Sequence, residues 1–124
     1  MKIIGHELIK FEPFFECLKE QDISSDRENL FDYDKLMIKH AQKMGANFSL
    51  KTDDIVEVIL ANAAGAKFII VPCELASKAA KIAQNYLFDA QIAVIIKDER
   101  EIEALSEVGV DAVIFEKGIY NGDI

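Results

Sequence analysis

Gly65-Ala66-Lys67-Phe68-Ile69-Ile70-Val71-Pro72-Cys73-Glu74-Leu75 is the stretch on which the architecture turns. Phe68 to Val71 is an unbroken apolar run with β-branched residues at its end. A strand of that kind is covered on both faces, which points to the middle of a parallel sheet. Gly65 closes the helix before it, and Pro72 stops the strand as the next helix begins. The stretch is one strand–turn–helix unit, and similar units lie on both sides of it.

The same order of elements is visible in the letters Met44-Gly45-Ala46-Asn47-Phe48, Ala64-Gly65-Ala66-Lys67-Phe68 and Val108-Gly109-Val110-Asp111-Ala112. Successive units lie roughly 20 residues apart, what a minimal helix-plus-strand unit with short loops requires. Strands are expected at Leu30-Phe31, Asn47 to Leu50, Phe68 to Val71, Ile92 to Ile96 and Ala112 to Phe115, with helices over Tyr33 to Met44, Asp53 to Ala64, Glu74 to Leu87 and Asp98 to Val108. Alternation of this kind implies parallel strands with right-handed crossovers. About five strands are too few to close an eight-stranded barrel, so the expected fold is an α/β three-layer open parallel sheet, flavodoxin- or receiver-like.

Residues 1–28 read as an N-terminal extension packed on that core, residues 29–117 as the βα repeats, and residues 118–124 as a tail, all within a single domain. In the extension, Lys2 to Ile4 reads as a short strand. Phe11, Phe14, Phe15 and Leu18 fall at i, i+3, i+4 and i+7, with Pro13 in the first turn, which predicts a helix whose phenylalanines are buried.

Composition narrows the class of partner. A chain of 124 residues with 51% apolar and 29% charged residues is a folded domain with one core. Its formal charge of −8 comes from 22 acidic against 14 basic residues, and no Lys/Arg run in the sequence reverses that sign. Nucleic acid and anionic membrane surfaces are therefore not expected partners. No apolar run approaches membrane-spanning length, and Met1-Lys2 leads into no signal-peptide core, so the expected address is the cytoplasm. Cys17 and Cys73 lie in apolar settings and read as small core residues kept reduced.

Ile92-Ala93-Val94-Ile95-Ile96-Lys97-Asp98-Glu99-Arg100-Glu101-Ile102 resembles one βα unit of the barrel enzymes indole-glycerol-phosphate synthase and keto-deoxy-phosphogluconate aldolase. Those barrels carry catalytic carboxylates and lysines inside their strands, whereas here Ile95 stands near the position of a synthase glutamate. Over Leu30 to Lys117 the chain is similar to bacterial response-regulator receiver domains, and Gly109-Val110-Asp111-Ala112-Val113-Ile114-Phe115-Glu116-Lys117 resembles their last strand with its terminal lysine. The receiver phospho-acceptor aspartate is replaced by Val71-Pro72-Cys73. What the resemblance implies is the receiver-like fold, with Asp32 and Asp34 standing where the receiver's acidic pair follows the first strand.

In open α/β sheets ligands sit at the carboxyl ends of the strands, and a phosphate loop needs glycine there. Gly45, Gly65 and Gly109 fall at the other end, which argues against a Rossmann or P-loop nucleotide site. Acids follow the strands instead. Asp32, Asp34, Asp53 and Glu74 are the candidate ligands for a hard divalent cation such as Mg²⁺; the competing reading is that such acids cap helix N-termini. His6, Lys97 and Lys117 are the further candidates, the histidine for its neighbour Glu7 and the lysines for their places at strand ends. His40 reads as a half-buried helix residue.

The expectation for function is a non-catalytic interaction or regulatory module without cofactor, lacking both a phospho-acceptor aspartate and a phosphate loop. The alternative is a metal-dependent enzyme using carboxylates at the strand ends. The helix from Asp53 to Ala64 is apolar over more than one face, so a homodimer or other protein partner is expected there, through Val58 or Ile59.

Overall fold

The structure is a computed structural model that describes residues 1–121. In chain order its elements are β1 (Lys2–Ile4), β2 (Phe14–Glu16), β3 (Glu28–Asp32), α1 (Lys35–Met44), β4 (Phe48–Lys51), α2 (Ile55–Ala64), β5 (Phe68–Ile70), α3 (Cys73–Asn85), β6 (Gln91–Ile96), α4 (Glu101–Val108), β7 (Ala112–Phe115) and β8 (Ile119–Asn121). Short 3-10 turns occupy Glu20–Asp22 and Glu116–Gly118.

From β3 to β7 the expected alternation holds. Asp34 and Asp54 cap α1 and α2, each accepting two backbone N–H groups of the first turn, and α1, α2 and α4 end on Gly45, Gly65 and Gly109. Neighbouring strands are parallel throughout, in the spatial order β1-β7-β6-β5-β4-β3-β2-β8. The α/β class is as expected, but the sheet has eight strands and not about five.

Connectivity requires this sheet to curl. β7 and β8 are six strand positions apart, which in a flat sheet would be about 29 Å. Only the three residues Glu116–Gly118 join them, and four Cα steps reach at most about 14 Å. The two edges must therefore approach each other. They do so at Gly5 and Gly118: a Cβ on Gly5 would stand 2.6 Å from the Gly118 nitrogen, and one on Gly118 would stand 2.9 Å from Ile4 Cγ2. Among the described residues no ladder joins β1 to β8, so the sheet remains open.

The curl replaces the expected third layer. Side chains from all four helices share one buried cluster with alternate strand residues such as Phe31, Leu50, Ile69, Val94 and Val113. The residues between them form a second cluster on the concave face: Ile4, Phe14, Leu30, Phe68, Ile70, Ala93, Ala112 and Ile114. Helices thus cover only the convex face, and the concave face is buried against itself, with Phe14 edge-on to Phe68 at 5.5 Å. Continuous apolar strands announce two covered faces without saying what covers each.

The predicted N-terminal helix is absent. Phe14–Glu16 is instead a strand, held between β3 and β8 with Phe14 opposite both Glu28 and Ile119. Phe14 is buried, Phe15 half-buried, and Leu18 is 86% exposed, so the helical spacing of these residues carries no common face. Residues 119–121 of the expected tail complete the sheet as β8, while residues 122–124 lie outside the described residues. Both cysteines are free; Cys17 is buried, whereas Cys73, at the first position of α3, is exposed.

Candidate functional site

The carboxyl ends of the strands carry two clefts. The larger, about 820 Å³, opens beyond β3, β4, β5 and β6 and is lined by Asp32, Lys51, Thr52, Asp53, Cys73 and Glu74, among others. Its organising residue is Lys51. In β4, Phe48 and Leu50 face the helices, so Ser49 and Lys51 face the concave side. The Lys51 ammonium lies 2.9 Å from a Glu16 carboxylate oxygen on β2 and 3.7 Å from one of Asp32 on β3. Lys51 and Glu16 are each about one-third exposed, while the Asp32 side chain is almost wholly in solvent. The Thr52 hydroxyl donates to Glu57 at 2.6 Å and accepts from the Asp54 N–H.

Of the four candidate metal ligands, Asp32, Asp53 and Glu74 border this cleft. Asp34 does not: its carboxylate accepts the Leu36 and Met37 N–H groups at 2.8 and 3.1 Å. Among the described residues, no three His, Cys, Asp or Glu side chains are grouped as ligands around a common point.

The second cleft, about 470 Å³, collects the other three candidates. His6, Lys97 and Lys117 line it together with Glu99 and Phe115, at the ends of β1, β6 and β7. His6 Nδ1 accepts the Leu8 N–H at 3.1 Å, which leaves Nε2 as the protonated nitrogen donating to Glu99 at 2.7 Å. The imidazole also stands edge-on to Phe115, with ring centroids 5.5 Å apart. Its sequence neighbour Glu7 is not the partner; Glu99, from the loop after β6, is. The Lys97 and Asp98 N–H groups are capped by Glu101, which closes the start of α4.

Sequence reading missed Glu16 and Lys51. Glu16 sat inside the predicted helix, where its strand neighbours were invisible. Lys51 did carry a signal, as a charge at the end of the apolar run Phe48-Ser49-Leu50 with inward parity.

A third feature lies outside the clefts. On α2, Val56, Ile59, Leu60 and Ala63 are all exposed, the first three at 60%, 44% and 48%. Val58, expected at a subunit contact, is fully buried, and Ile59 is the outward one of that pair.

No protein-family model matches this chain, and no curated protein is significantly similar to it in sequence. Among the described residues, no helix is long and apolar enough to cross a membrane.

Proposed function

We propose that the chain is a non-catalytic interaction or regulatory module of the reducing cytoplasm, and that the outer face of α2 is its contact surface. The stripe Val56, Ile59, Leu60 and Ala63 carries this reading. Spacing of i, i+3, i+4 and i+7 puts the four on one side of the helix. A surface helix normally turns charge outward on that side. The one charged residue of α2, Glu57, is half-buried and bonded to Thr52. Single exposed apolar side chains need no explanation, but a stripe as long as the helix does. Engagement of Lys51 by Glu16, and of Asp34 and Asp54 by their own helices, supports the non-catalytic part of the reading.

The test is an amide-resolved NMR titration of isotope-labelled protein, by dilution and against amphipathic helical peptides. Shifts centred on α2 and abolished by Leu60→Ser are expected. If neither dilution nor any peptide, whatever its charge, moves the α2 amides, the reading fails.

Asp32, Asp53 and Glu74 around one cleft with Lys51 favour a second reading, a metal-dependent enzyme acting through carboxylates. Thermal unfolding with and without millimolar Mg²⁺, Mn²⁺ or Ca²⁺ tests it. A site filled to a hundred times its dissociation constant adds about 2.7 kcal/mol, several degrees in midpoint. That shift must vanish in Asp32→Asn; an unchanged midpoint in all three ions removes this reading.

A further inference from the structure

We infer that the occupant of the α2 face is an acidic amphipathic helix of another protein; this rests on the reading of α2 as a contact surface and names its partner. The charge distribution carries the inference. α1 holds Lys35, Lys39 and Lys43, all exposed, and no acidic residue. α3 holds exposed Lys78 and Lys81. Together α1, α2 and α3 carry five lysines against two glutamates, in a chain whose formal charge is −8. With Asp34, Asp53 and Asp54 at the helix starts the three helices balance in charge, but all five acids stand at the N-terminal ends, so the middle and C-terminal turns of this face carry lysines and no acid.

Lys35 and Lys39 flank the apolar stripe. Gln42 Nε2 donates to the Ala64 carbonyl at 2.8 Å, which identifies the side of α1 turned toward α2. Lys35 and Lys39 precede Gln42 at i−7 and i−3, so they rise on that same side. α3 packs against the other flank of α2. The resulting surface is an apolar strip one helix wide, bordered on one side by the α1 lysines and on the other by α3, whose exposed residues include Lys78 and Lys81. Its complement is a helix with an apolar stripe bordered by Glu or Asp, which gains burial along the strip and opposite charge beside it.

A second copy of this chain fits poorly. A two-fold axis lying in the contact plane, whether along α2 or across it, sets lysine-bearing helices against lysine-bearing helices. An anionic bilayer would have to accept the exposed acids Asp34, Asp53, Asp54 and Glu74 at the N-terminal ends of the same helices. A narrow partner avoids both.

The experiment uses the full chain and three fluorescent peptides, each about four helical turns long with the same leucine stripe. Their flanking residues are Glu, Gln or Lys, and binding is read by anisotropy. The expected order is Glu tightest, then Gln, then Lys, with the Glu peptide weakened by added salt. Lys39→Gln combined with Lys78→Gln should weaken the Glu peptide about tenfold, roughly threefold per lysine, and leave the Gln peptide unchanged. Leu60→Ser should weaken both peptides. The inference is overturned if the Glu peptide binds no tighter than the Gln peptide, or if the lysine variants have no effect. It is also overturned if only self-association is seen on dilution, or if phosphatidylglycerol vesicles bind where the Glu peptide does not. In these cases the α2 contact surface itself survives provided Leu60→Ser still abolishes the observed binding. If no peptide, vesicle or second copy engages α2, the underlying reading falls with the inference.

Discussion

The Lys51 ammonium on β4 stands 2.9 Å from the Glu16 carboxylate on β2, an ion pair that reaches across the strand between them. It joins a residue of the N-terminal segment to the βα repeats, and it fills the inner rim of the larger cleft. Lys51→Met would leave Glu16 facing Asp32 without a counter-charge, at a cost of about 1–3 kcal/mol. Glu16→Gln should cost less, because the amide oxygen still accepts from Lys51. Urea unfolding of both single variants and the double variant should give a coupling energy on the order of 1 kcal/mol. Strictly additive effects would mean that the pair holds nothing together.

Phe14 and Phe15 are adjacent in β2 and should respond very differently to truncation. Phe14 is 2% exposed and packs against Phe68, so Phe14→Ala should cost about 3–5 kcal/mol. Phe15 is half-buried between Tyr120, at 5.3 Å, and the Arg27 guanidinium, and its loss should be felt about half as much. Leu18→Ala, at an exposed position, should stay within about 0.5 kcal/mol. Equal losses at Phe14, Phe15 and Leu18 would instead describe one buried helix face.

Closure of the curl rests on two glycines. Gly5 has φ +96°, and a Cβ there meets backbone, the Gly118 nitrogen at 2.6 Å. Gly5→Ala should therefore cost about 2–4 kcal/mol, combining left-handed strain with a contact that cannot relax. Gly45→Ala is the control: φ is +67°, but nothing lies within 4 Å of the added methyl, so about 1 kcal/mol is expected. Denaturation midpoints that rank the two equally would show that the edges do not meet tightly at Gly5.

The two thiols should separate cleanly. Cys73 is exposed and should react at once with a thiol reagent, whereas Cys17 should react only on unfolding. Burial pushes the Cys17 thiol above its ordinary range, against the opposing influence of the Leu30 backbone and Arg27. The folded state therefore keeps its proton to higher pH than the unfolded chain, which begins to lose it near pH 8.5. Below that pH the stabilisation is fully present. Above it the unfolded state binds fewer protons and stability declines, until the folded thiol itself ionises. Comparing urea midpoints of the wild type and Cys17→Ala from neutral to alkaline pH isolates this slope. Parallel curves would mean that the thiol is not held neutral by the fold.

The sequence by itself determined the βα repeats from β3 to β7, their parallel sense and the glycine ends of α1, α2 and α4. These are local matters, settled by a glycine at a helix end, an aspartate at a helix start and a short apolar run between them. Tertiary structure decided the rest. Phe14 and Ile119 became strand partners because parallel pairing joins segments distant in sequence, and no periodicity within either segment announces its neighbour. Whether the second face of Ala93 and Ile114 meets helices or the sheet itself depended on three residues, Glu116–Gly118, being too short to cross a flat sheet. The candidate sites follow the same division. The capping role of Asp34 was legible because it acts within its own helix. Lys51 with Glu16, His6 with Glu99, and the lysines beside the α2 stripe were not, since each association is made by neighbouring strands, strand ends or helices and not by neighbouring residues.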